Sequence, residues 1–178
     1  MEMIVPPRPD AGETRDNQTF EALMWAMSRP GKVYEIAEPG LLSVAMTLVD
    51  IEMQVYCDDS ALAEAISRTG ACKAAADEAG YLFVAGDPMP AIRTADPGTA
   101  LYPDNGATIV IAASISGGPR LQLTGPGIMT TIEASPDLPL AFWVERARRS
   151  AYPAGLDLII VEERRVIALP RSTQVEVL

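Results

Sequence analysis

Arg29, Lys32, Arg149 and Arg171 are the side chains of this sequence best placed to hold an anion, since each offers a positive charge and several donors to a phosphate or carboxylate. Arg29 and Lys32 flank a Pro30-Gly31 stop, Arg149 closes the cluster Arg146, Arg148, Arg149, and Arg171 follows Pro170 near the C-terminus. Lysine occurs only as Lys32 and Lys73, so Schiff-base chemistry would have to use one of them; Lys32, two residues before Tyr34, is the better placed. Histidine is absent from all 178 residues. That excludes, for the chain acting alone, a Ser-His-Asp triad, a Cys-His pair and a His-ligated metal. No catalytic residue, metal ligand or cofactor is assigned from the sequence.

The glycine-rich turns fall short of nucleotide fingerprints. Gly31-Lys32 has no glycine five residues earlier and no Ser or Thr after the lysine, so it does not make a phosphate-binding loop. Gly125-Pro126-Gly127 is followed by Thr130 where a dinucleotide fingerprint needs glycine. These are expected to be tight turns or interface corners, together with Gly98, Gly106 and Pro170. The doublets Asp58-Asp59 and Glu162-Glu163 suit a helix cap and a solvated hairpin tip better than an acid/base pair, because adjacent side chains on extended backbone point apart. Arg146, Arg148 and Arg149 complement a helix C-terminus.

Net charge is -10, with 8 basic and 19 acidic residues before Ala141 and 6 against 5 from there on. Such a surface repels nucleic acid. Hydrophobic residues make up 48% of the chain without any run long enough to cross a bilayer, and the first residues lack a basic segment followed by an apolar one. A cytoplasmic protein with no membrane or nucleic-acid partner is expected. Cys57 and Cys72 form no CxxC and are expected to be reduced and buried.

The elements that must position these residues follow from spacing. Length predicts a single domain over 1–178, with the proline-rich stretch 1–16 as an extended N-terminal arm. Phe20, Leu23, Met24 and Met27 recur at helical spacing, with the methionines expected in the core. Helices are expected from Leu41 to about Asp50, burying most of its surface, and after Asp58-Asp59-Ser60, ending at Gly70. Lys32 to Ala37 and Met53 to Cys57 read as short strands. Tyr81 to Ala85 and Thr108 to Ala113 are continuously apolar, the pattern of strands covered on both faces. The expected fold class is therefore α/β, a mixed central sheet flanked by helices on both faces. Residues 108 to 124 read as a β-hairpin; Leu140, Trp143, Val144 and Ala147 mark a helix capped near Asp137; strands follow at Leu156 to Val161 and Arg165 to Leu169. The connection from Gly86 to Gly106 is long enough to carry an interface, a function or an unrecognised helix.

The order of these turns carries a resemblance. Phe20 to Gly31, Gly98-Thr99, Pro103 to Thr108, Gly125-Pro126-Gly127-Ile128, Tyr152 to Leu158 and Ala168 to Thr173 together resemble the PhnH family of the bacterial carbon-phosphorus lyase system, from about residue 17 to the C-terminus. Leu48 to Met53 and Arg149 to Tyr152 depart from its pattern. The resemblance implies a reduced pyridoxal-phosphate-dependent transferase fold without the cofactor, a homodimer, and assembly with the carbon-phosphorus lyase subunits G, I and J. It also implies a place in organic phosphonate catabolism, where the complex forms α-D-ribose 1-methylphosphonate 5-triphosphate from ATP and a phosphonate before radical chemistry on the J component cleaves the carbon-phosphorus bond. The expected role is a non-catalytic assembly component whose contact surfaces are residues 1–16 and 86–106. The alternative is a stand-alone anion-binding protein or a pyridoxal-phosphate enzyme using Lys32, with Arg29, Tyr34, Arg149 and Arg171 as ligands.

Overall fold

A computed structural model describes residue 8 and residues 10–178. Helix α1 runs over Ala11–Ser28 and ends at the Pro30-Gly31 stop, and its start is set by a reciprocal cap. Asp10 Oδ1 accepts from the Glu13 amide at 2.8 Å, and Glu13 Oε2 accepts from the Asp10 amide at 2.9 Å. The expected extended arm is thus corrected over 11–16, which are helical; residues 1–7 and 9 lie outside the described residues. Proline weighs against helix only up to Pro9, and Asp10 to Glu13 is a capping box.

Seven strands form the main sheet: β1 Tyr34–Glu35, β2 Gln54–Cys57, β3 Cys72–Lys73, β4 Tyr81–Val84, β5 Thr108–Ala112, β8 Asp157–Glu162 and β9 Arg165–Leu169. Their order across the sheet is β1-β9-β8-β5-β4-β2-β3. Strands β3, β2, β4, β5 and β8 run parallel, whereas β9 is antiparallel to both its neighbours, so the sheet is mixed. Alternation along the strands divides the core in two. Leu82, Val84, Ile109, Ile111, Leu158 and Ile160 face helices α4 (Met89–Thr94) and α5 (Leu140–Arg149). Phe83, Val110, Ile159 and Val161 face α1, α2 (Leu41–Leu48) and α3 (Ser60–Ser67). Continuous apolar strands are required because both faces are covered.

The expected hairpin over 108–124 does not form. Strand β5 lies between β4 and β8, and the chain then leaves the main sheet. Leu121–Thr124 (β6), Ile132–Ala134 (β7) and Gln174–Val177 (β10) build a separate three-stranded antiparallel sheet in the order β10-β6-β7. The reason lies in the side chains: β6 buries Leu121 and Leu123 but only half-buries Gln122 and Thr124, so it suits a sheet covered on one face, whereas β5 needs cover on two. The long 86–106 connection resolves into α4 and a short 3-10 turn at Pro103–Asn105.

Three helices present different faces from those expected. In α1 the buried stripe is Thr19, Ala22, Leu23 and Ala26, leaving Phe20 52% and Met24 49% exposed. In α5 the buried residues are Phe142, Trp143 and Arg146, with Leu140 and Val144 exposed; its N-cap is Pro139 rather than Asp137. Helix α2 leaves Leu42 and Met46 exposed instead of burying most of its surface. Cys57 is half-buried and Cys72 exposed, because Cys72 lies on the short edge strand β3.

Candidate functional site

A cleft of about 580 Å³ lies between the C-terminal half of α5, the Gly125-Pro126 corner and the turn 171–175. Arg146 forms its wall with only 2% of its surface exposed. Its guanidinium donates to the carbonyls of Pro170 at 2.9 Å, Thr173 at 3.2 Å and Leu169 at 3.5 Å. Burial pushes this arginine down to about 10, opposed by the nearby Asp157 charge. Arg146 Nε and Thr173 Oγ1 are buried beside the cleft without a hydrogen-bond partner. Sequence spacing places Arg146 three and four residues after the buried Trp143 and Phe142, which is the signal that it belongs to the inner face.

Arg171 also lines this cleft, and every arm of its guanidinium is engaged. Nε and Nη2 reach Asp157 Oδ2 at 3.1 and 2.5 Å, Nη2 also donates to the Gly106 carbonyl at 3.0 Å, and Nη1 donates to the Pro103 carbonyl. The Arg171 amide donates to Asp157 Oδ1 at 2.6 Å. Arg149 turns away to hold α4 against α5, donating to the carbonyls of Arg93, at 2.7 Å, and Ala95. Arg29 stacks over the Trp25 ring at 4.4 Å, and Lys32 is exposed on the turn that leads to Tyr34. Of the four cations singled out from sequence, Arg171 alone lines the cleft.

The tight-turn residues serve close approaches within the chain. Gly106 has no room for a side chain: a Cβ there would lie 2.5 Å from Arg171 Nη1 and 2.6 Å from the Gly155 carbonyl. Gly98 packs against Gly106, Gly125 against the Ser172 carbonyl, Gly127 against the Ser28 carbonyl, and Gly31 against Leu123 and Ile132. The Pro170 carbonyl receives both Arg146 and the Thr173 amide.

Open α/β sheets bind ligands beyond the strand C-termini, where neighbouring crossovers leave on opposite faces. Here that point falls between β2, followed by α3 on one face, and β4, followed by α4 on the other. Asp58 fills it. Its carboxylate accepts from the amides of Ala85 at 2.7 Å and Gly86 at 3.0 Å, the donors an incoming anion would use. Asp59 is the α3 cap, accepting from Leu62 at 2.7 Å, so only half of the doublet acts locally. The partners of Asp58, 27 and 28 residues away, leave no local trace in the sequence.

Glu162, expected at a solvated tip, instead joins β8 to the segment after β5. It accepts from Ser114 Oγ at 3.0 Å, the Ile115 amide at 3.2 Å and Arg165 at 2.5 Å. The Ile115 amide first, then the Ser114 hydroxyl, hold its carboxyl below the usual range. A carboxyl lowered in the folded state contributes stability above its unfolded value, about 4.3, and that contribution is lost as pH falls through the folded value. Glu162→Gln should therefore reduce stability near neutrality and flatten its decline below about pH 4, read from urea midpoints across pH. A decline as steep as in the unaltered chain would remove Glu162 from the acid response.

A profile of the bacterial phosphonate metabolism protein (PhnH) family matches residues 11–176. A protein of Stutzerimonas stutzeri described as a putative C-P lyase subunit protein, HtxG, is 35% identical over 169 residues, covering 90% of this chain and 86% of its own. The alpha-D-ribose 1-methylphosphonate 5-triphosphate synthase subunit PhnH of Rhizobium meliloti (strain 1021) is 31% identical over 183 residues, covering 88% of each chain.

Proposed function

The chain belongs to the PhnH family of bacterial phosphonate metabolism proteins, and on that premise we propose that it serves the carbon-phosphorus lyase complex as an assembly component, positioning catalytic partners while they hold the reacting phosphates. Its place is in phosphonate catabolism, at the step named for the Rhizobium relative. The observation that carries the division of labour is the employment of the arginines. Arg146, Arg149 and Arg171 direct their guanidinium groups at main-chain carbonyls and Asp157, which commits all three arms of Arg171 and the terminal nitrogens of Arg146 and Arg149 to the fold and leaves the Nε of those two buried without a partner. Any imidazole-based proton transfer falls to the partners, since this chain brings no histidine.

The same reading takes the protein as cytoplasmic and homodimeric on its own, joining subunits G, I and J in the complex, with a fold that is a reduced pyridoxal-phosphate transferase fold. An exposed Lys32 supports such a fold working without the cofactor, because a Schiff-base lysine is desolvated to lower its pKa. Among the described residues no helix is long and apolar enough to cross a membrane. Co-expression with subunits G, I and J should give one peak containing all four on a sizing column. Calorimetric titration of the isolated chain with ATP and with methylphosphonate should release no binding heat. A chain that elutes apart from the other subunits and binds either anion alone would overturn the assignment.

A further inference from the structure

The geometry points to a docking surface at the N-terminal ends of the parallel strands, shaped for a basic amphipathic segment of a partner in the complex. This rests on the assembly role proposed above and names the surface and partner chemistry it requires. Two depressions meet there, sharing Tyr81 and Thr108, the first residues of β4 and β5.

One is an apolar groove of about 220 Å³ whose walls include Phe20, Met24, Leu48 and Tyr81. Phe20 and Met24 expose about half their surface although their helical spacing is that of core residues. The stripe is therefore wider than the core it covers, and the surplus faces solvent. The other depression is a cleft of about 520 Å³ lined by five carboxylates, Glu52, Asp77, Glu78, Asp96 and Asp104. The one cation among its lining residues, Arg171, is already paired with Asp157. Segment 86–106, expected from sequence to make partner contacts, lends the cleft Asp96 and Asp104.

Charge complementarity selects the occupant. A segment with apolar residues on one face and Lys or Arg at the adjoining positions fills the groove and places cations among the carboxylates. A second copy fits poorly, because it brings a net charge of -10 to an acidic cleft. Small anions are repelled from the same cleft, in keeping with a protein that leaves phosphates to its partners.

The test uses the full chain co-expressed with subunits G, I and J, in two independent variants at exposed positions: Phe20→Glu with Met24→Glu in the groove, and Glu52→Lys with Asp104→Lys in the cleft. Each should weaken retention of the chain in the complex about tenfold or more, with unchanged circular dichroism. The deficit of the cleft variant, unlike that of the groove variant, should shrink as salt is raised. If the unaltered chain assembles and both variants assemble equally well, the docking surface is wrong while the assembly role stands. If the unaltered chain does not assemble, both fall. If the isolated chain turns from dimer to monomer in the groove variant while assembly is unaffected, a second copy covers the groove and the proposal is overturned.

Discussion

Arg171→Ala is expected to lower the unfolding free energy by about 3–5 kcal/mol, the usual consequence of stripping one partner from a largely buried ion pair. Asp157 is 9% exposed and would keep only the Arg171 main-chain amide, leaving Oδ2 charged and unpaired. In the same change the Gly106 carbonyl would lose its donor and the Pro103 carbonyl would keep only the Gly106 amide. At this chain length the loss corresponds to a melting midpoint lower by roughly 10 °C. The pairing itself is isolated by a cycle with Asp157→Ala, in which the double variant should cost clearly less than the two single losses combined. Additive losses would mean that the two side chains act separately. Because Arg171 fastens the turn bearing Asp104, partner docking through the acidic cleft should weaken along with stability.

The second large effect belongs to Arg146→Met. Methionine keeps much of the length and removes a charge that burial already disfavours, so desolvation alone would make the change neutral or favourable. Against that, the Thr173 carbonyl loses its charge-assisted donor, the Pro170 carbonyl keeps only the Thr173 amide, and an apolar side chain in place of the guanidinium keeps water away. At about 1–3 kcal/mol for each abandoned polar contact the second effect wins, and a loss of about 2–4 kcal/mol is expected in urea unfolding. Arg146→Lys should recover part of it, since an ammonium can reach one carbonyl but lacks the fork that spans both. A methionine variant as stable as the original would mean that water from the adjoining cleft replaces the guanidinium.

Much of this molecule is written locally. The apolar runs Tyr81–Val84 and Thr108–Ala112 announce strands buried on both faces, and Asp59 announces the cap of α3, because burial pattern and capping act within a few residues. The hairpin expected over 108–124 fails for the same reason: a turn signal at Ser116 to Pro119 reports a change of direction, not which sheet receives the next strand. The arginines show the limit most clearly. Arg149 and Arg171 look like anion ligands when only charge is visible, yet their partners are carbonyls 56, 54, 68 and 65 residues away.

Composition, periodicity and the order of turns need no coordinates, and they suffice for the α/β class, the absence of imidazole chemistry, the acidic surface and the family. Which charges remain free is a property of the tertiary fold alone. Long-range folding commits Arg146, Arg149, Arg171 and Asp58 to main-chain groups far from them in sequence. It leaves Phe20, Met24 and the carboxylates around Tyr81 facing solvent, because α1 has more apolar surface than the sheet beneath it can cover.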